Sequence, residues 1–206
     1  MQGAKGIEVS EATERLKKDL VILEAMAAEV DEYLRNDTLF WPLGDSTLPR
    51  LTLGGYLMRQ HRLLALRKML DEEEKARLDA AEEQFNAALV EKVVAFENKA
   101  HEELRARLRQ WQEYLKELQQ VSLAAGDYYP SAVETRAMIA ALLSKLEMRP
   151  YKLDRRVLNE VAAYDRVLAN YWAAGDFAWP EAWTAAYPRQ KYWWLYGRPR
   201  GRAYDS

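Results

Sequence analysis

Seventy consecutive residues, Tyr56 to Ala125, contain neither glycine nor proline. In a helix interior glycine costs about 1 kcal/mol and proline about 3 kcal/mol relative to alanine, so these two residues are the strongest punctuators of local structure. A third of this 206-residue chain therefore reads as helix without a break. The expected fold is all-α: an antiparallel helical bundle with one long spine helix over about residues 72–124. Four shorter helices are expected at about 10–36, 52–70, 131–148 and 154–174, followed by an aromatic-rich C-terminal segment.

One internal signal divides the stretch. Asp71 followed by Glu72, Glu73 and Glu74 resembles a fresh helix start, with Asp71 as cap and Glu74 reaching back from the third position. This favours a short helix bending at residue 71 into the spine over a single rod. Beyond it, Leu78, Ala81, Phe85, Leu89, Val93, Phe96, Ala100, Leu104, Leu108, Trp111, Leu115 and Leu118 keep helical spacing. At a rise of 1.5 Å per residue the spine would be roughly 80 Å long.

The other helices are read from caps and periodicity. Ser10 is a candidate N-cap, and Leu16, Leu20, Leu23, Ala27, Val30 and Leu34 form a heptad seam that demands an apolar partner. Residues 37–51, with Pro42, Gly44 and Pro49 among Leu39, Phe40, Trp41 and Leu43, predict a loop folded over an end of the bundle. Gly54 and Gly55 at the start of the next helix suit close backbone approach. Gly126 is a candidate C′ residue ending the spine, and Pro130 supports the stop. Ser131 and Glu134 read as a capping box, Asp154 as the cap of the last helix, and Gly175 as its end.

With no cysteine, the chain has no disulfide, no thiolate zinc site and no cysteine nucleophile. A net charge of −2 speaks against a protein that coats nucleic acid with its whole surface. No run approaches the roughly 18 apolar residues needed to span a bilayer, and residues 1–10 lack the apolar core of a signal peptide. A soluble, cytoplasmic protein without membrane insertion is expected.

From Tyr171 onward the chain holds 11 of its 23 aromatics and 5 of its 7 tryptophans. Disordered tails are poor in aromatics, so this region is expected to be ordered against something. The division expected is a single helical domain at 1–175 and a segment at 176–206 that packs on the bundle or on a partner subunit. Tyr33 precedes Trp41-Pro42 by the same interval that separates Tyr171 from Trp179-Pro180, a weak echo suggesting two aromatic corners at helix ends.

Four constellations could carry chemistry. Glu97 and His101 are one turn apart, but a di-iron bundle needs Glu-x-x-His on two helices and none occurs; no metal and no cofactor are assigned. His61 could act as a base, although no sequence neighbour supplies an orienting acid; a core-edge histidine with one hydrogen bond is the plainer reading. Arg50, Arg59, Arg62, Arg67 and Lys68 make residues 50–70 basic, but the four helical ones spread around the wheel and read as solvated faces. In the C-terminal segment Arg189, Lys191, Arg198, Arg200 and Arg202 alternate with Tyr192, Trp193, Trp194 and Tyr196. That mixture can meet single-stranded nucleic acid or a partner protein, or pack within its own bundle. No phosphate-binding loop, dinucleotide fingerprint or nucleophile elbow is present.

Three functional readings follow. The first is a non-enzymatic interaction or structural protein that self-associates, as a dimer, or meets a protein partner. A second is a small-ligand-binding or catalytic bundle with a pocket lined by Phe40, Trp41, His61, Trp179 and Trp183. Last comes nucleic-acid binding through the basic aromatic C-terminus, against which the overall charge weighs.

Overall fold

The structure, a computed structural model, describes residues 2–120 and 127–200, with backbone alone for residues 2–8. Among these residues six α-helices dominate: α1 (Gln2–Arg35), α2 (Leu53–Ala65), α3 (Glu72–Glu91), α4 (Val93–Gln119), α5 (Tyr129–Leu146) and α6 (Arg155–Ala169). They are followed by a small antiparallel pair, β1 (Trp172–Phe177) and β2 (Tyr196–Pro199), with short 3-10 turns at Glu181–Ala186 and Trp193–Leu195. The fold is mainly all-α, and the aromatic-rich C-terminal segment is ordered on it. No described helix is long and apolar enough to cross a membrane.

The seam of α1 finds its partner inside the chain. Leu16, Leu20, Leu23, Ala27, Val30 and Leu34 are all buried, and α1 lies chiefly along α3. α4 lies along α5, and α2 is held between α1, α4 and α5. At the head of α3 the expected capping box is present. Asp71 Oδ1 accepts from the Glu74 N–H at 2.9 Å, and Glu74 Oε2 accepts from the Asp71 N–H at 2.9 Å. Between α2 and α3 a 3-10 turn at Arg67–Met69 replaces the last turn of the predicted 52–70 helix.

The spine is interrupted at one residue. Lys92 has φ −126° and ψ 42°, outside the helical region, although its N–H still reaches Ala88 O and its carbonyl still accepts from Phe96. Its ammonium pairs with Asp31 on α1. No glycine or proline marks the place; the two halves pack on different neighbours, α3 chiefly on α1 and α4 chiefly on α5. The expected end of the spine, at Ala124 with Gly126 as C′, lies outside the described residues.

Three expected boundaries move. α1 starts at Gln2 instead of Ser10, because extending an existing helix adds a hydrogen bond per residue without a new nucleation cost. α5 starts at Tyr129 with no side-chain cap, and Ser131 lies within it. Pro130 sits in its first turn, where the missing N–H costs nothing, and this overrides the Ser131–Glu134 pattern. α6 is capped by Asp154 as expected but ends at Ala169, not near 174. Gly175 belongs to β1 instead, in the irregular stretch between Ala174, which pairs with Gly197, and Phe177, which pairs with Tyr196; a Cβ added to it would lie 3.8 Å from Gly197 Cα. Gly197 has φ +150°, and a Cβ there would collide with Ala173 O, so only glycine allows this pairing.

Gly54 serves the close approach expected of it. A Cβ would sit 2.7 Å from Glu103 Oε1 and 3.1 Å from both Leu142 Cδ1 and Met138 Cβ. Without one, the buried Glu103 carboxylate accepts the Gly54 N–H at 2.9 Å and meets the first turn of α2, where the helix dipole favours negative charge. The loop before α2 folds back on α1: Trp41 pairs with Leu51 in an isolated bridge, and Trp41 Nε1 donates to Glu29 at 2.6 Å.

Candidate functional site

His61 and Arg62 are consecutive residues of α2, and the C-terminal segment covers both. Around Arg62 the covering is closed. Its Nη1 reaches Asp19 Oδ2 of α1 at 2.5 Å, and its Nε donates to Tyr187 Oη at 3.1 Å. The guanidinium carbon lies 4.7 Å from the Trp179 ring centre and 4.1 Å from that of Trp183. Asp19 Oδ1 is also 3.1 Å from Arg59 Nε. Arg62 is 3% exposed and Asp19 7%, so this is a buried ionic cluster. Burial opposes the charge on Arg62, but Tyr187 and Asp19 outweigh it and raise its pKa. One donor nitrogen, Arg62 Nη2, is buried without a hydrogen-bond partner among the described residues, and the tryptophan faces meet the charge there.

Around His61 the covering stays open. A cleft of about 530 Å³ runs between α2, α3, α5 and the C-terminal segment. α2 contributes Leu57, Met58, Gln60, His61 and Leu64, and α3 contributes Glu82 and Asn86. From α5 and the turn after it come Ala137, Ala141, Ser144, Lys145 and Met148; the segment adds Tyr187, Lys191 and Tyr192. The floor exists because α5 presents small residues at 137, 141 and 144, spaced by four and three, on the face that looks toward α2. The rim is apolar, with Leu64 40% and Met148 57% exposed.

The polar groups of the cleft are unevenly satisfied. His61 Nε2 is 2.7 Å from Ala186 O; a carbonyl only accepts, so Nε2 carries the proton and Nδ1 is the acceptor. Burial lowers the His61 pKa; the Ala186 hydrogen bond opposes this, while Lys191 and Arg62 add to it, and the neutral ring is favoured. Gln60 donates to Glu82 at 2.7 Å, and Lys191 Nζ is 3.3 Å from Ser144 Oγ. Lys145 differs from these. Its ammonium is half-buried, and burial lowers its pKa against the opposing pull of the Glu82 charge. The Tyr151 ring centre is 5.9 Å away. Among the described residues no carboxylate or carbonyl accepts a hydrogen bond from it.

The residues singled out in the sequence divide accordingly. His61 lines the cleft, but Trp179 and Trp183 lie on the Arg62 side, and Phe40 and Trp41 lie on the far loop, Phe40 under Arg107 at 5.4 Å. The five do not form one pocket, because the two aromatic corners close different parts of the bundle. Glu97 and His101 together hold the backbone of one residue. Glu97 accepts the Lys152 N–H at 2.9 Å, and His101 Nε2 meets Lys152 O at 2.8 Å. No cluster of three potential metal ligands occurs among the described residues. Arg59 and Arg62 are buried, a correction to the solvated faces expected of the 50–70 stretch. Arg67 pairs with Asp79.

In the C-terminal segment the aromatics turn inward. Tyr192 and Trp194 are buried and Trp193 and Tyr196 half-buried, while Arg189, Lys191, Arg198 and Arg200 are exposed. Arg189 rests over Tyr196 at 5.3 Å and Lys191 over Tyr192 at 5.4 Å. Tyr129 on α5 donates to Trp194 O, and Trp183 Nε1 donates to Ala12 O at 3.2 Å, pinning the segment to α5 and α1. Arg202 lies outside the described residues.

Comparison with known protein families, with curated proteins and with solved structures finds no match to this chain.

Proposed function

We propose that the protein is a non-enzymatic helical bundle that binds a small ligand in the cleft beside His61. The observation that carries this reading is the contrast within one helical turn: packing is complete around Arg62 and left open around His61. A volume of about 530 Å³ is within the range of small-molecule sites, and an apolar lining with a few converging polar groups is their usual character. The test is titration with a neutral, environment-sensitive apolar dye such as N-phenylnaphthylamine. Saturable binding at one site is expected. Ala141→Trp, which places an indole in the cleft, abolishes it, and Ser144→Phe provides a second blocking variant if the first does not fold. Absence of dye binding, or binding unaffected by both folded blocking variants, overturns the reading.

Self-association is the second reading, and a different observation favours it. Val90 and Val94, one turn apart on either side of the Lys92 break, are 78% and 72% exposed. The α1 seam does not support it, since α3 already fills that seam. Sedimentation of the wild type and of Val90→Lys/Val94→Lys decides: a dimer lost in the double variant supports it, and a monomer at all concentrations ends it.

A further inference from the structure

We propose that the ligand of this cleft is a monoanionic amphiphile, an apolar body ending in a single carboxylate, with the carboxylate held by the Lys145 ammonium. The inference rests on the ligand-site reading above and adds the chemistry of the ligand. It starts from Lys145, a half-buried cation on the cleft wall to which the described residues offer no hydrogen-bond acceptor. Taking an ammonium out of water without a partner is costly, so a fold that keeps one there leaves room for an anion to supply the missing contact. The other charged groups of the cleft, and His61, already have partners. Glu82 is engaged by Gln60 at 2.7 Å, Lys191 reaches Ser144 at 3.3 Å, and His61 donates to Ala186 O at 2.7 Å.

The charge count then limits the anion. Lys145 and Lys191 are positive, Glu82 is negative and His61 is favoured neutral, so the cleft has a net charge of about +1. One carboxylate balances that. A phosphate monoester, with a charge of about −1.5 to −2 at neutral pH, would leave excess negative charge beside Glu82 in a partly desolvated site. Leu57, Leu64, Ala141 and Met148 offer the apolar body its contacts, and the two exposed rim residues among them gain cover when it binds. A charge-assisted hydrogen bond to a partly buried ammonium is the stronger kind, and its loss is read as affinity.

Calorimetric titration of the full chain with octanoate, octanol and octyl phosphate tests this. Octanoate is expected to bind about tenfold more tightly than octanol, the factor that an extra charge-assisted contact supplies. Octyl phosphate should bind no better than octanoate. Lys145→Met keeps the stem and removes the charge, so it should bring octanoate down to the octanol affinity and leave octanol unchanged; Lys145→Gln repeats this if the first variant folds poorly. Equal affinity of the wild type for octanoate and octanol overturns the proposal while leaving the ligand site standing, as does a preference that survives both variants. Octyl phosphate binding tighter than octanoate overturns the single-carboxylate assignment. If the neutral dye also fails to bind, the cleft reading fails and this proposal falls with it.

Discussion

His61 and Arg62 are neighbours in the chain and opposites in environment. Both lie on α2 beneath the same C-terminal segment. On the Arg62 side a carboxylate from α1, a phenol and two indoles close on the charge until almost no surface is left. On the His61 side the small face of α5 stands back, an apolar rim stays exposed, and the Lys145 charge has no hydrogen-bond acceptor among the described residues. The difference separates two uses of a buried cation. A charge that fixes a fold is surrounded by its own chain, whereas a charge kept for a ligand is left with an open side.

If that distinction is right, removing the two charges has effects of very different size. Trp183→Ala, which removes the indole against Arg62 and its bond to Ala12 O, should cost about 3–5 kcal/mol. Arg62→Met leaves Asp19 with Arg59 alone in a buried site, and a loss of about 3 kcal/mol is expected from the usual cost of breaking a buried pair. Denaturant midpoints measure both. An effect below about 1 kcal/mol from either would mean that the closed side is not what holds the segment down.

Next in size is the strand pair on which the covering segment turns back. Gly197→Ala places a Cβ against Ala173 O at a positive φ, and a loss of about 2 kcal/mol is expected, with near-ultraviolet dichroism of the tryptophans reporting any loosening of the segment. Asp71→Ala removes the cap of α3, away from both sides of the comparison. It should cost about 1 kcal/mol without changing binding in the cleft.

The cleft side gives the smaller effects. His61 is half-buried with its pKa lowered by that burial, so the unfolded chain binds the proton more readily than the folded one. Stability should therefore hold above the unfolded-state value of 6.5 and fall as the pH drops below it, the usual sign for a histidine buried neutral. His61→Gln should flatten that part of the melting-temperature profile. Lys145→Met is expected to change stability by no more than about 0.5 kcal/mol, since the ammonium has no ion pair to lose. A loss comparable to that of Arg62→Met would show that Lys145 serves the fold, and the distinction between the two sides would collapse.

Much of the fold was legible in the sequence, and the reason is local chemistry. The Asp71–Glu74 box, the Asp154 cap, the α1 seam and the need for Gly54 each depend on residues a few positions apart, or on one residue type with one steric property. The break at Lys92 and the strand at Trp172–Phe177 depend on partners far along the chain, Asp31 for one and Tyr196–Pro199 for the other. The site was legible only at His61. Lys145 lies beside the buried Leu142 and Leu146 on α5, and the small residues Ala137, Ala141 and Ser144 were the available sign that this face leaves space. Asp19 carried a comparable sign, bordering the seam with buried Leu16 and Leu23 at three residues before and four after. Neither sign says what lies opposite; that comes from the path of the C-terminal segment.

The most direct measurement follows the two imidazoles of the protein by nuclear magnetic resonance during titration with octanoate. His61 lines the cleft and His101 meets Lys152 O on a different part of the bundle, so each serves as the other's control. Ligand binding in the cleft predicts a saturable shift of the His61 resonances with His101 unmoved, and the same titration of Lys145→Met should require about tenfold more octanoate. A His61 signal that stays still while the ligand binds, or that moves only in step with His101, would contradict it.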